Sequence, residues 1–130
     1  MSPRPSLLSV APVFSTTDVD GWLEHYRALG FAVEAFDEGY GFATRDGVDL
    51  HVSFNAEHNP TLTAGCAYLA VDEADALAGE WASVTGGRTV PPVDTDYGIR
   101  EGAHIDPDGN LLRFGSRSQA PSSRPVGPPS

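Results

Sequence analysis

Apolar and polar positions along the chain switch between the two-residue period of strands and the 3.6-residue period of helices. Leu7 to Phe14 is an apolar, partly β-branched segment interrupted by Pro12, which suits an edge strand or a strand that breaks where it changes partners. Asp18 then predicts a helix N-cap. Val19, Trp22, Leu23, Tyr26 and Leu29 follow at helical spacing, and Gly30 sits where a helix closes. Three strand-like pieces come next, Phe31–Phe36, Tyr40–Arg45 and Val48–Phe54, separated by Asp37-Glu38-Gly39 and by the hairpin signal Asp46-Gly47. Asn55 to Leu62 is polar, contains a proline and reads as a loop that could cover something.

The pattern then restarts. Gly65–Val71 is strand-like, and Asp72 predicts the cap of a second helix to about Thr85, with Ala74, Leu77, Ala78, Trp81 and Val84 on one face and Gly86-Gly87 ending it. Arg88–Val93, Arg100–Ile105 and Leu111–Phe114 supply three further strands. The last two are joined by Asp106-Pro107-Asp108-Gly109-Asn110, in which Pro107 and Asp108 suit the corners of a type I turn and Gly109 the left-handed return. Asp72 answers Asp18 and Gly86 answers Gly30 at an offset of about fifty-five residues. Two such units are too few for a solenoid. The expected fold is therefore α+β, two βαβββ modules whose curved sheets enclose a cleft. After Gly115 little remains to bury, so residues 1–115 are expected to form the domain and residues 116–130 a disordered tail.

Composition narrows the function classes. With 130 residues, 40% of them hydrophobic, the chain supports one modest core. It carries a net charge of −10, its eight basic residues are all arginines, and all its carboxylates precede position 115 while Arg117 and Arg124 follow. Such a field repels nucleic acid and anionic lipid and attracts cations. The single cysteine, Cys66, cannot form an internal disulfide, and no apolar run has the length of a membrane span, so a cytoplasmic protein is expected. No serine has a His-Asp setting that spacing defends, Ser15 and Ser53 included. Cys66 reads as a small buried hydrophobe, Trp22 and Trp81 read as core, and His51 and His104 lie on different strands that could meet.

The paired modules, the run Tyr97-Gly98-Ile99-Arg100-Glu101 followed by Asp106-Pro107-Asp108-Gly109-Asn110-Leu111, and Leu29-Gly30-Phe31 after the first helix resemble the vicinal oxygen chelate superfamily over residues 7–114. That superfamily includes glyoxalase I, extradiol dioxygenases, fosfomycin-resistance enzymes and bleomycin-resistance proteins. Its enzymes hold a divalent metal through a first-strand ligand, a ligand opening the second module and a glutamate on the last strand. The corresponding positions here are near Ala11, at Cys66 and at Arg113, and neither alanine nor arginine can ligate a hard cation. No metal or other cofactor is therefore expected.

The resemblance is nearest to the bleomycin-binding branch, which sequesters the glycopeptide without modifying it. It implies a strand-swapped homodimer crossing near Pro12 and a planar bithiazole held between aromatics at Tyr40 and Tyr97, with Glu34, Asp37 and Glu38 nearby. Phe54, Gly98 and Arg100 complete the expected ligand-binding set. The other readings are a metal-dependent lyase, isomerase or dioxygenase of the same fold, recruiting metal through His51, His104 or Cys66, and a binding protein for another small aromatic metabolite.

Overall fold

The computed structural model describes residues 4–118, and the chain divides after Gly65 into two compact units. The first runs β1 (Val13–Thr16), α1 (Val19–Ala28), β2 (Ala32–Asp37), β3 (Tyr40–Arg45) and β4 (Val48–Phe54). The second runs β5 (Cys66–Ala70), α2 (Ala74–Ala82), β6 (Arg88–Asp94), β7 (Ile99–Ile105) and β8 (Leu111–Arg117). Their sheets have the same topology, β1-β4-β3-β2 and β5-β8-β7-β6, with β1 parallel to β4, β5 parallel to β8 and the other pairs antiparallel. Each unit is thus a βαβββ module, as the repeated pattern predicts.

In the first unit the Asp18 carboxylate accepts from the Gly21 N–H at 3.0 Å and starts α1, the expected cap. The apolar stripe of the helix buries Trp22, Leu23 and Tyr26 with Phe14, Ala43, Leu50 and Val52 from the sheet. Trp22 stacks on Tyr26 at 3.9 Å, and Phe14 tilts against both. This packing commits one face of every strand to the helix and leaves the alternate positions on the other face open.

The second unit departs from the sequence reading at its helix and its last strand. Glu73, not Asp72, is the N-cap of α2, and its side chain makes no capping bond. The Ala74 N–H donates instead to the Ser116 hydroxyl at 3.0 Å, a partner supplied from 42 residues away. Ser116 is buried and lies in β8, which continues through Gly115 to Arg117, so the ordered unit runs past the boundary expected at residue 115. Of the expected tail, residues 119–130 lie outside the described residues. Ser116→Ala removes a cap delivered through the fold and is expected to cost about 1 kcal/mol in urea denaturation. An unchanged midpoint would contradict that assignment.

The β7–β8 turn forms as expected: the Gly109 N–H donates to the Asp106 carbonyl at 2.9 Å, and Gly109 takes a φ of 85°. Trp81 packs edge-on to Phe114 and His104, and Leu112 completes that core. Among the described residues no helix is long and apolar enough to cross a membrane.

Candidate functional site

In the first unit the helix-free face of the sheet carries an aromatic recess. It is an open hollow of about 530 Å³ lined by Phe36, Asp37, Gly39, Tyr40 and Phe42. Alternation puts Phe36 on the face of Glu34, whose cross-strand partner is Phe42, and a β-bulge adjoins it: Ala35 pairs with Gly41 and Asp37 with Tyr40, which seats Asp37 opposite Tyr40. Phe36 stays 70% exposed while meeting Phe42 edge-on at 6.1 Å.

Tyr40 and Phe42 lie 5.6 Å apart, also edge-on, and His51 supports both from β4. The Tyr40 hydroxyl is hydrogen-bonded to His51 Nδ1 at 2.9 Å, which fixes the ring at the wall. The Asp37 carboxylate accepts from the Gly39 N–H at 2.8 Å and stands at the rim. Glu34 pairs across the strands with Phe42, and Glu38 is exposed in the adjoining turn. Phe54 ends β4 half-exposed, with its N–H donating to the Gly39 carbonyl.

Chemically, this wall offers several aromatic edges and faces to a flat, electron-poor or cationic group, with carboxylates close by. The sequence reading named Tyr40, Asp37, Glu34, Glu38 and Phe54 but missed Phe36 and Phe42. The available signal was alternation, which puts Phe42 on the face of Tyr40 and Phe36 on the face of Glu34. Beside the recess, Ser15 Oγ lies 2.9 Å from His58 Nδ1, and Thr63 Oγ1 lies 2.8 Å from the same nitrogen. Ser15 therefore has a histidine neighbour that spacing did not reveal. That pair, with the Asn55 N–H donating to the Thr16 carbonyl, ties the 55–63 loop back to β1.

In the second unit Tyr97 stands in the turn before β7. Gly98 takes a positive φ of 82°, and Thr95 closes the turn with bonds to Ile99. The Tyr97 hydroxyl donates to Glu101 Oε1 at 2.6 Å, the Tyr68 hydroxyl donates to Glu101 Oε2 at 2.8 Å, and Arg113 approaches Oε1 at 3.2 Å. These bonds, that from Tyr97 first, hold the Glu101 carboxyl below the usual carboxylate range. Its carboxylate in turn pushes both tyrosines above the ordinary phenol range. A carboxyl depressed on folding favours the folded state above its unfolded pKa. That contribution fades as pH falls through the folded value.

Arg100 does not join this group. It lies on the helix-covered side, paired with Asp75 at 2.6 Å and with Asp94 at 3.4 Å, and its bond to Asp75 lowers the pKa of that carboxyl. Strand alternation separates it from its neighbour Glu101, so the two do not pair with each other. Cys66, expected to be buried, is exposed at the start of β5. His104 is buried with Thr89 at 2.8 Å from Nδ1, while His51 is held by Tyr40, so each histidine is engaged inside its own unit.

No protein-family model and no curated protein matches the chain. Solved structures do. A bleomycin resistance determinant encoded on the transposon Tn5 superposes with a TM-score of 0.77 at 22% identity, over 86% of this chain and 99% of that one. The chain has the vicinal oxygen chelate fold. A bleomycin-binding protein from bleomycin-producing Streptomyces verticillus, complexed with copper(II)-bleomycin, matches at 0.72 and 25% identity over 88% and 100%. A glyoxalase-related enzyme from Clostridium phytofermentans matches at 0.74 and 17% over 90% and 100%. The fold thus spans both binding proteins and glyoxalase-related enzymes.

The resemblance implies a metal only in the enzymes of this fold, and two of the three corresponding residues here do not fit one. At the last-strand position the Arg113 guanidinium stands 5.4 Å over the Tyr68 ring and bonds to Glu101. Ala11 brings no donor, and a cation at the third position repels a divalent ion.

Proposed function

We propose that this protein binds and sequesters a cationic, bithiazole-bearing glycopeptide of the bleomycin type without modifying it, acting inside the cell as a homodimer. The observation that carries the reading is the aromatic recess of Phe36, Tyr40 and Phe42 with Asp37 at its rim. A planar heteroaromatic gains about 0.5–1.5 kcal/mol per aromatic contact beyond area burial. Carboxylates at Glu34, Asp37 and Glu38 draw in the cationic end of such a ligand. Tyr97 and Gly98 contribute a second aromatic surface from their turn. The names of the Tn5 and Streptomyces verticillus proteins support the ligand class. The Arg113 guanidinium at the metal-ligand position favours binding over metal-assisted chemistry. A dimer in which the chain crosses near Pro12 accounts for Leu7, Leu8 and Val10, each more than 90% exposed in the single chain.

Calorimetric titration with bleomycin at low salt is expected to give one ligand per chain, and sedimentation twice the chain mass. No heat at micromolar protein would sink the proposal. Association is expected to slow as salt rises while dissociation changes less, because surface carboxylates steer encounter more than they hold the docked ligand. Metal analysis of protein purified without chelator separates this reading from the enzymatic one. A stoichiometric equivalent of iron, manganese, nickel or zinc would favour catalysis.

A further inference from the structure

The second unit holds a closed arrangement on its helix-free face that ligand stacking alone does not explain. The two oxygens of Glu101 are divided between the Tyr68 and Tyr97 hydroxyls, and Arg113 covers the remaining side. As a result the Glu101 side chain is only 13% exposed, whereas Tyr68 and Tyr97 remain 47% and 61% exposed. The carboxylate lies under two rings that still face outward.

Strand register builds this arrangement. Glu101 pairs with Gly115, and Arg113 with both Tyr68 and Ala103, so all three side chains emerge on one face. Gly115 leaves the room they need, since a Cβ there would overlap the Tyr68 hydroxyl.

We propose that Glu101 is a positioning residue for ligand capture: it holds the Tyr97 ring, and Tyr68 beside it, in the orientation in which their outer faces receive the planar part of the ligand. The inference rests on the binding function proposed above and adds to it the residue that preorganises one aromatic surface. A tyrosine in a turn otherwise samples several rotamers, and docking would have to order it. A charge-assisted bond removes that cost before the ligand arrives. Because both carboxylate oxygens are engaged and Arg113 balances their charge, Glu101 is poorly placed to bind the ligand's cation itself.

The test uses the full chain and three variants, Glu101→Ala, Glu101→Gln and Tyr68→Phe, each checked for folding by circular dichroism. Glu101→Ala is expected to weaken bleomycin binding about tenfold at unchanged stoichiometry. Glu101→Gln, which keeps one acceptor oxygen, should recover part of that loss. Tyr68→Phe, which keeps the ring, should cost less than Glu101→Ala. In a Tyr97→Ala background the Glu101→Ala change should have a clearly smaller effect than in the wild type, because only Tyr68 remains for it to hold.

Alkaline absorbance titration supplies a readout that needs no ligand. Tyr68 and Tyr97 should ionise above the ordinary range in the wild type and return toward it in Glu101→Ala. If the wild type binds bleomycin and Glu101→Ala binds within twofold of it, or if the two losses simply add, the positioning role is overturned. If the wild type binds none, the ligand reading fails, and unchanged tyrosine ionisation in Glu101→Ala would separately overturn the tie itself.

Discussion

Tyr40→Ala is expected to weaken bleomycin binding roughly a hundredfold, a loss of about 2–3 kcal/mol typical of an aromatic anchor truncated at the centre of a contact. Three effects combine. The stacking face disappears, the recess loses the wall that meets Phe42 at 5.6 Å, and His51 loses the hydroxyl 2.9 Å from its Nδ1. Tyr40→Phe separates them, since it keeps the ring and removes only the hydroxyl. Its expected loss is no more than about tenfold. Titration calorimetry on both variants decides the matter. Wild-type affinity in Tyr40→Ala would show that the recess of the first unit does not hold the ligand. Tyr40 sits on a hairpin strand rather than in the helix-packed core, so the variant should fold and the comparison is clean.

What could be read from the sequence divides by how local its cause is. Asp18 caps α1 through Gly21, three residues away, and both this cap and the Asp106–Asn110 turn are visible as short words in the chain. The Asp72 reading failed for the opposite reason. The first N–H of α2 is satisfied by Ser116, which only the folded sheet brings there. The same long-range pairing extends β8 through a Gly-Ser-Arg stretch that by composition resembles a tail, because Ile99, Arg100 and Glu101 pair with Arg117, Ser116 and Gly115.

The candidate site follows the same division. Tyr40 and Tyr97 could be named from the resemblance, whereas Phe36 and Phe42 were open to plain alternation with Glu34 and Tyr40, and only Asp37 owes its place opposite Tyr40 to a bulge. Glu101 gathers partners from β5, β8 and the preceding turn. Arg100 shows the effect of strand alternation most clearly: along β7 it turns to Asp75, on the face opposite its neighbour Glu101. In a two-faced sheet, adjacency along the chain separates residues as often as it unites them.

Asp106→Ala is expected to destabilise the fold by about 3–5 kcal/mol, the largest effect on stability among the changes considered. Asp106 is 3% exposed and Asn110 fully buried. One Asp106 oxygen accepts from the Asp108 and Asn110 N–H groups at 2.8 and 2.9 Å, and the other from the Asn110 side-chain amide at 3.1 Å. Alanine would strand the Asn110 donors away from water, which costs about 1–3 kcal/mol for each unsatisfied group. Asp106→Asn, which keeps an acceptor, should lose less. Urea denaturation measures both, and a loss below 1 kcal/mol in Asp106→Ala would mean that the turn is held by its backbone alone. The same variant distinguishes stability from function. Glu101 lies five residues along β7 from the turn, and its partners Tyr68, Tyr97 and Arg113 make no contact with the Asp106 carboxylate in the bonds that define either group. At a temperature where Asp106→Ala remains folded, its affinity for bleomycin should therefore equal that of the wild type. A loss of affinity there would couple the turn to the aromatic surface through β7.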